Sequence, residues 1–223
     1  MKKNKFDYEL CLFYLSAFIG GIYGAYAVLR CNMFASAQTV NLITSLFNIM
    51  GSDFKGFMIR IVIMCAYALG ISFGVIIPKY TKWNLKYVSV IATFITSLVL
   101  GFMPDNYVGE LILLPVFFSM SIQWNAFPGA KGYQGTSIFL TNNFRQTVMG
   151  LTSYLCTKEN HYKVQFKFYF LTILCYFIGC YLTYITVKYI GYRGILFTII
   201  PLVIMSIIIF KENKVLRKQK ENG

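Results

Sequence analysis

Residues 34–50 read FASAQTVNLITSLFNIM and residues 133–155 read YQGTSIFLTNNFRQTVMGLTSYL, and these two stretches decide the fold. Both are apolar enough to enter a membrane, yet each carries amides and hydroxyls in its middle. An amide in hydrocarbon costs free energy unless protein, water or a solute pairs with it. Each stretch is therefore either a polar membrane span or a re-entrant or broken segment that enters the membrane and returns.

The remainder of the chain consists mainly of long apolar runs. Of 223 residues, 57% are hydrophobic and 13% are charged, and the mean hydropathy is +0.59. A soluble domain carries about 25% charged residues, so this composition excludes that class. Six runs are each near the ~20 residues that cross a bilayer core. They cover residues 10–29, 57–78, 87–103, 108–127, 165–190 and 194–210. We predict an all-α polytopic membrane protein.

The positive charge lies between these runs. The chain has 21 Lys and Arg and a net charge of +13. The clusters are Lys2, Lys3 and Lys5, then Lys79, Lys82 and Lys86, then the segment 211–223. Such clusters face the cytoplasm and attract anionic lipid head groups. The bilayer is therefore the predicted partner, nucleic acid is not, and both termini are predicted to be cytoplasmic.

Two topologies fit the runs. If both polar stretches span, there are eight spans, and the 21 Lys and Arg divide into 13 inside, seven outside and one, Arg145, in the membrane. If both dip in and return, there are six spans, with 16 inside and five outside. The second arrangement follows the positive-inside rule better and places the acidic segment 104–110, with Asp105 and Glu110, outside. We favour six transmembrane helices plus two re-entrant or broken segments.

The chain also repeats itself. Thr39-Val40-Asn41 and Thr141-Asn142-Asn143 share a Thr-x-Asn pattern, each behind one apolar run and ahead of another. The runs that follow share a central glycine, Gly70 and Gly179. Three spans in each half would leave the halves in opposite orientations, as in many transporters. We predict one membrane domain, 1–223, with repeats 8–103 and 108–210 and a basic cytoplasmic tail, 211–223.

The polar stretches supply the candidate site residues. Amides and hydroxyls from two opposed segments can coordinate a polar solute near the membrane midplane. Alternatively, they only hydrogen-bond between helices and hold the bundle together. The substrate-binding candidates are Gln38, Thr39, Asn41, Gln123, Thr141, Asn142, Asn143 and Arg145. In particular, Asn41 and Asn143 are predicted to lie close together near mid-membrane.

Arg145 has two interpretations. An arginine at membrane depth is costly unless it reaches water, an interface or an anion. Arg145 would then either bind an anionic group of the solute or extend to the lipid head groups. In the first helix, Gly20 and Gly24 have the small-x-x-x-small spacing that lets helices approach closely, so close packing is the expected role. Alternatively, Gly20, Gly21 and Gly24 could let this helix unwind near the first polar stretch, since glycine tolerates that backbone freedom.

Enzyme chemistry has no basis in this sequence. All eight carboxylates fall in tails, loops or run ends, and no G-x-S-x-G, H-E-x-x-H or phosphate-loop pattern is present. The six cysteines lack C-x-x-C spacing, and the single histidine, His161, has no neighbouring ligand at metal-binding spacing. We expect neither catalysis, nor a metal, nor a cofactor.

Two longer stretches carry a family resemblance. AFIGGIYGAYAVLRCNMFASAQTVN (17–41) and MSIQWNAFPGAKGYQGTSIFLTNNFRQ (120–146) resemble the YoaK-like bacterial membrane proteins, a family of unknown function. That family carries a Thr-Gly-Asn motif after its first helix and a Thr-Gly-Asn-x-Arg motif in its second half. Here Val40 and Asn142 replace the two glycines, and Gly24 stands where a first-helix aspartate is expected. The resemblance spans nearly the whole chain and implies the same architecture.

The functional prediction is a bacterial inner-membrane protein that acts as a transporter or channel for a small polar or anionic solute. Its site would lie between the two Thr-x-Asn segments. The alternative is a non-transporting scaffold or accessory protein in which the polar residues only pack.

The topology is testable by cysteine labelling. We expect residues 79–86 to be cytoplasmic and residues 104–110 to be external, because of the lysine cluster and the acidic segment. A cysteine introduced at position 84 should react with an impermeant maleimide only after the cell is opened. Labelling of that position from outside would exclude six spans.

Overall fold

A computed structural model describes residues 7–34, 38–104, 106 and 109–221 of the chain. Most of them are helical. The helices are α1 Tyr8–Cys31, α2 Gln38–Met50, α3 Phe54–Tyr80, α4 Leu85–Gly101, α5 Leu114–Ala126, α6 Thr141–Thr157, α7 Asn160–Ile190 and α8 Ile199–Glu221. Short 3₁₀ turns, Glu110–Leu113 and Tyr192–Thr198, lead into α5 and α8. A small antiparallel hairpin, β1 Gly129–Ala130 and β2 Tyr133–Gln134, follows α5.

Several helices have the length and composition of membrane spans. In the described residues, four candidate spans are Tyr8–Cys31, Phe54–Tyr80, Asn160–Ile190 and Tyr192–Gln219, and α4 is a shorter apolar helix. Polar caps define where α1, α3 and α4 begin, because the side chains of Asp7, Asp53 and Asn84 each accept a hydrogen bond from a backbone N–H in the first turn. The all-α prediction is therefore confirmed.

Polar contacts define two ends of the bundle. At one end, which we call the Asp7 end, Asp7 pairs with Lys131 at 3.4 Å, and Asp7 and Glu212 line one cavity. Glu212 also pairs with Lys86 at 2.7 Å, at the start of α4. At the other end, which we call the Glu110 end, Arg60 pairs with Glu110.

Further contacts place the remaining helix termini. At the Glu110 end, Arg30 donates to the carbonyl of Pro104 at 2.8 Å, and Tyr192 donates to the carbonyl of Leu29 at 3.0 Å. At the Asp7 end, Tyr133 donates to the carbonyl of His161, at the start of α7. Helices α1, α4 and α7 therefore run from the Asp7 end to the Glu110 end, and α3, α5 and α8 run back.

The two most extensive packing contacts between long helices are α1 on α7 and α3 on α5. Glycines let the helix backbones approach closely at both contacts. A Cβ on Gly179 would overlap the carbonyl oxygen of Phe18, and a Cβ on Gly70 would overlap atoms of Phe118 and Ser121. Small residues let helix backbones approach in this way, which is how helices associate in membranes. The buried core lies along these contacts.

The structure distinguishes the two interpretations of the glycines in α1. Unwinding is wrong, because α1 is one continuous helix. Close packing fits, because a Cβ on Gly20 would meet the carbonyl of Ser137 and one on Gly21 the carbonyl of Tyr176. Residues 211–221 of the basic segment are helical and continue α8. Lys2, Lys3, Lys5 and Asp105 lie outside the described residues.

Replacing Gly70 with leucine should destabilise the protein, because the new side chain overlaps the α5 backbone at Phe118. Overpacking of this kind costs about 1–3 kcal/mol. Ala68→Leu is the matched control, since Ala68 lies on the same helix and is exposed. Thermal unfolding in detergent should show a lower midpoint for Gly70→Leu only. Equal midpoints for the two variants would contradict the close α3–α5 contact.

Candidate functional site

The two polar stretches form short helices beside longer ones. Helix α2 packs against α3, and α6 packs against α7. Asn41 lies in the first turn of α2, and Asn143 lies in the first turn of α6. Both side chains are buried, at 2% and 0% exposure. Each amide is therefore removed from solvent and from lipid, and its hydrogen-bond partners decide its role.

Asn41 belongs to a chain of four polar side chains, which we call the arginine cluster: Gln38, Asn41, Arg60 and Glu110. Asn41 Nδ2 donates to Gln38 Oε1 at 3.3 Å, and Asn41 Oδ1 accepts from Arg60 Nη1 at 3.2 Å. Arg60 Nη2 donates to Glu110 Oε1 at 2.6 Å. Helix α2, helix α3 and the turn before α5 thus meet in one charged, hydrogen-bonded group.

The arginine cluster has hydrogen-bond donors to spare. The Arg60 side chain is 12% exposed. Its Nε and the Nε2 of Gln38 are buried and have no hydrogen-bond partner among the described residues. A buried donor without an acceptor costs about 1–3 kcal/mol. The cluster is therefore suited to an oxygen acceptor such as a carboxylate or carbonyl group.

Asn143 belongs to a different group, which we call the loop clamp: Gln123, Thr136, Ser137 and Asn143. Asn143 Oδ1 accepts from the backbone N–H of Thr136 at 3.2 Å, and Asn143 Nδ2 donates to the Thr136 carbonyl at 2.6 Å. The side-chain amide of Asn143 thus forms hydrogen bonds with both the backbone N–H and the carbonyl of Thr136, in the loop between β2 and α6. Its role is to hold that loop.

Gln123 completes the loop clamp from α5. Its Nε2 donates to the carbonyl of Ser16 at 3.0 Å and to the hydroxyl of Ser137 at 3.4 Å. The loop therefore lies against α1 and α5 together, over the position where Gly20 leaves room for the Ser137 carbonyl. Of the predicted site residues, the structure brings Gln123 and Asn143 together around this loop.

The other predicted residues are less enclosed. Thr39, Thr141 and Arg145 are exposed, and Asn142 is half-buried. Asn41 and Asn143 have hydrogen bonds to different elements, and in the described residues no hydrogen bond joins the two groups. These contacts do not place the two asparagines in one site. The eight candidates instead divide between the arginine cluster, the loop clamp and the surface.

Sequence reasoning missed Arg60 and the role of Glu110. It singled out Arg145 as the arginine at membrane depth, although Arg60 lies three residues inside the apolar run 57–78. That position was the available signal, because a charge within a span needs a partner. The partner was not deducible, since Glu110 is 50 residues away along the chain.

Comparison with known proteins gives one match. The family described as "Protein of unknown function (DUF1275)" matches residues 12–208. No curated protein and no solved structure matches the chain.

Changing Asn143 to alanine should destabilise the protein by removing hydrogen bonds that hold the loop between β2 and α6. The change leaves a backbone N–H and a carbonyl of Thr136 unpaired in a buried loop, at a cost of about 2–6 kcal/mol for the two groups. Asn142→Ala is the matched control and should stay within about 0.5 kcal/mol of the parent. Thermal unfolding of the purified protein measures both. An Asn143→Ala protein as stable as Asn142→Ala would contradict the clamp.

Proposed function

The chain belongs to the DUF1275 family, whose function is unknown, and from this premise we propose that it is a multi-pass membrane transporter for a small anionic or polar solute. The membrane is the bacterial inner membrane, and both termini lie in the cytoplasm. The narrower resemblance to the YoaK-like proteins stays a prediction.

The observation that carries the proposal is the exchanged packing of the two halves. The first helix of each half packs on the third helix of the other half, as α1 on α7 and α5 on α3. The short second helices pack on the third helices of their own halves. Corresponding helices run in opposite directions between the two ends of the bundle. This supports six spans in two inverted repeats, the plan of many secondary transporters.

The glycine contacts support the same equivalence. Gly179 of α7 approaches the carbonyl of Phe18 in α1, and Gly70 of α3 approaches the carbonyl of Phe118 in α5. Matching contacts at matching positions are expected of a repeat and not of two unrelated halves.

We place the solute at the arginine cluster. Arg60 supplies positive charge at the edge of a membrane span, and the Nε of Arg60 and the Nε2 of Gln38 supply unused donors. A carboxylate or similar oxyanion would accept from both and would compete with Glu110 for Arg60. Charge-assisted hydrogen bonds to arginine are the stronger kind, so an anionic solute is favoured over a neutral one.

The arginine cluster and the loop clamp lie toward opposite ends of the bundle, and this suggests how the site could open to each side of the membrane in turn. The arginine cluster joins elements at the Glu110 end. The loop clamp holds the segment next to the hairpin that carries Lys131, at the Asp7 end. Release of the Arg60–Glu110 pair would open one end, and release of the loop would open the other. Rocking of one repeat against the other around a fixed site provides such alternation.

The alternative function, a scaffold or accessory protein, is favoured by the loop clamp. Asn143 and Gln123 have their amide groups directed to backbone and hydroxyl partners, which is a packing role. The experiment must therefore separate ligand recognition from stability.

A thermal-stability screen of the purified protein makes that separation. The probes are glutamate, acetate, sulfate and inorganic phosphate, with glucose and urea as neutral comparisons. A solute that binds the native state raises stability, by about 2.7 kcal/mol at 100 times its Kd. We expect an anionic probe to raise the unfolding midpoint. The stabilising probe, radiolabelled, should then enter proteoliposomes that contain the protein.

Matched variants identify the site. The double variant Arg60→Gln with Glu110→Gln keeps a neutral hydrogen-bonded pair and should lose the stabilisation and the uptake. Arg145→Gln removes an exposed arginine and should keep both. Stabilisation without uptake would contradict transport, and the absence of any stabilising anion, with all variants equal, would favour the scaffold.

A further inference from the structure

An apolar groove runs along the outside of the bundle, over α1 and between α7 and α8. Two adjoining cavities form it, of about 480 Å³ and about 300 Å³, and both are lined by Phe18, Ile200 and Pro201. The larger cavity is also lined by Cys11 and Cys175, toward the Asp7 end. The groove therefore follows α1 for much of its length.

The groove lies between α7 and α8, which meet through one turn and otherwise pack mainly against other helices. The 3₁₀ turn Tyr192–Thr198 packs on both helices and joins them at the Glu110 end. From there each helix contacts other partners, α7 against α1 and α8 against α4 and α1. The cavity beside Gly194, which we call the narrow end, has a volume of about 300 Å³, and the cavity toward the Asp7 end, which we call the wide end, has a volume of about 480 Å³.

The narrow end offers no free polar group from its threonines. Thr183 donates to the carbonyls of Ile22 and Gly179, Thr186 to the carbonyl of Thr183, and Thr198 to the carbonyl of Ile195. Because backbone carbonyls accept from these hydroxyls, the lining presents methyl groups together with aliphatic and aromatic side chains. A polar occupant would lose its own hydrogen bonds there, so the groove selects a hydrocarbon chain.

The length of the groove matches one leaflet of a bilayer. Its lining on the α8 side extends from Phe197 to Ile208. At 1.5 Å per helical residue this is about 16 Å, close to half of the ~30 Å hydrocarbon thickness. A helix from a second copy would cross the full thickness and would extend well beyond the groove.

Two lysines lie beyond the wide end on the groove faces of the flanking helices. On α8, Ile200, Ile204, Ile208 and Lys211 recur at spacings of four, four and three residues, which is one helical face. On α7, Lys167 lies two turns before Cys175 on the face that continues to Ile178. Lys167 and Lys211 are both exposed. Positive charge at this depth attracts an anionic head group.

We propose that this groove is a binding site for one acyl chain of an anionic phospholipid from the leaflet at the Asp7 end. Phe18, Ile178, Ile204 and Ile208 contact the chain, and Lys167 and Lys211 hold the head group. The site is separate from the arginine cluster, and it stands whether or not the protein transports a solute.

Native mass spectrometry of the delipidated, detergent-purified protein tests the proposal. The probes are dioleoylphosphatidylglycerol and dioleoylphosphatidylcholine, which differ only in the head group. We expect the anionic lipid to be retained more strongly. Each lysine contact near an anionic surface corresponds to about fivefold in affinity. Lys167→Gln and Lys211→Gln should each weaken phosphatidylglycerol binding by about that factor and leave phosphatidylcholine unchanged. Lys188→Gln, an exposed lysine at the other end of α7, should change neither.

A second pair of variants tests the chain. Ile204→Trp fills the groove and should reduce retention of both lipids, whereas Ile207→Trp, on an equally exposed neighbour outside the lining, should not (47% and 50% exposed). Three results would each overturn the proposal. These are equal retention of the two lipids by the parent, equal retention by the two tryptophan variants, or a dimer that Ile204→Trp dissociates, which would assign the groove to a second copy.

Discussion

The close approach of α1 to α7 at Gly21 and Gly179 is the contact on which the rest of the structure depends. Lipid is as apolar as the helix surfaces, so no hydrophobic force pushes these helices together, and backbone packing must do so. A Cβ at either glycine would overlap a carbonyl of the opposite helix. The same arrangement at Gly70 joins α3 to α5. Because each contact joins opposite halves, the halves are held as one interlocked unit.

The close helix contacts also determine which partners the buried polar residues can reach. In hydrocarbon, every amide and hydroxyl must find a partner within the protein. Gly20 leaves room for the loop that carries Ser137. Gln123 and Asn143 then form hydrogen bonds with polar groups of that loop. Irregular backbone is tolerated at this depth because protein, and not lipid, surrounds it. The same residue types that suggest a solute site therefore serve the fold on one side of the molecule.

At the arginine cluster, in contrast, hydrogen-bond donors exceed the acceptors that the protein supplies. Arg60 brings a full charge to the edge of a span, and one carboxylate and one amide do not use all its donors. The Arg60–Glu110 pair is partly buried, with side-chain exposures of 12% and 33%, and desolvation offsets much of the attraction within such a pair. The outer groove differs again, since the threonine hydroxyls at its narrow end are paired with backbone carbonyls and its lysines lie beyond its wide end.

The sequence by itself determined the all-α membrane class and the positions of the long helices, because apolar run length and residue spacing are local properties. It also marked Asn41 and Asn143 as residues whose amides need partners within the membrane. Only the tertiary structure decided which residues are their hydrogen-bond partners. Arg60 meets Glu110 across 50 residues and Gln123 meets Ser16 across 107. Such pairs depend on how separate helices pack, and no periodicity along the chain records that.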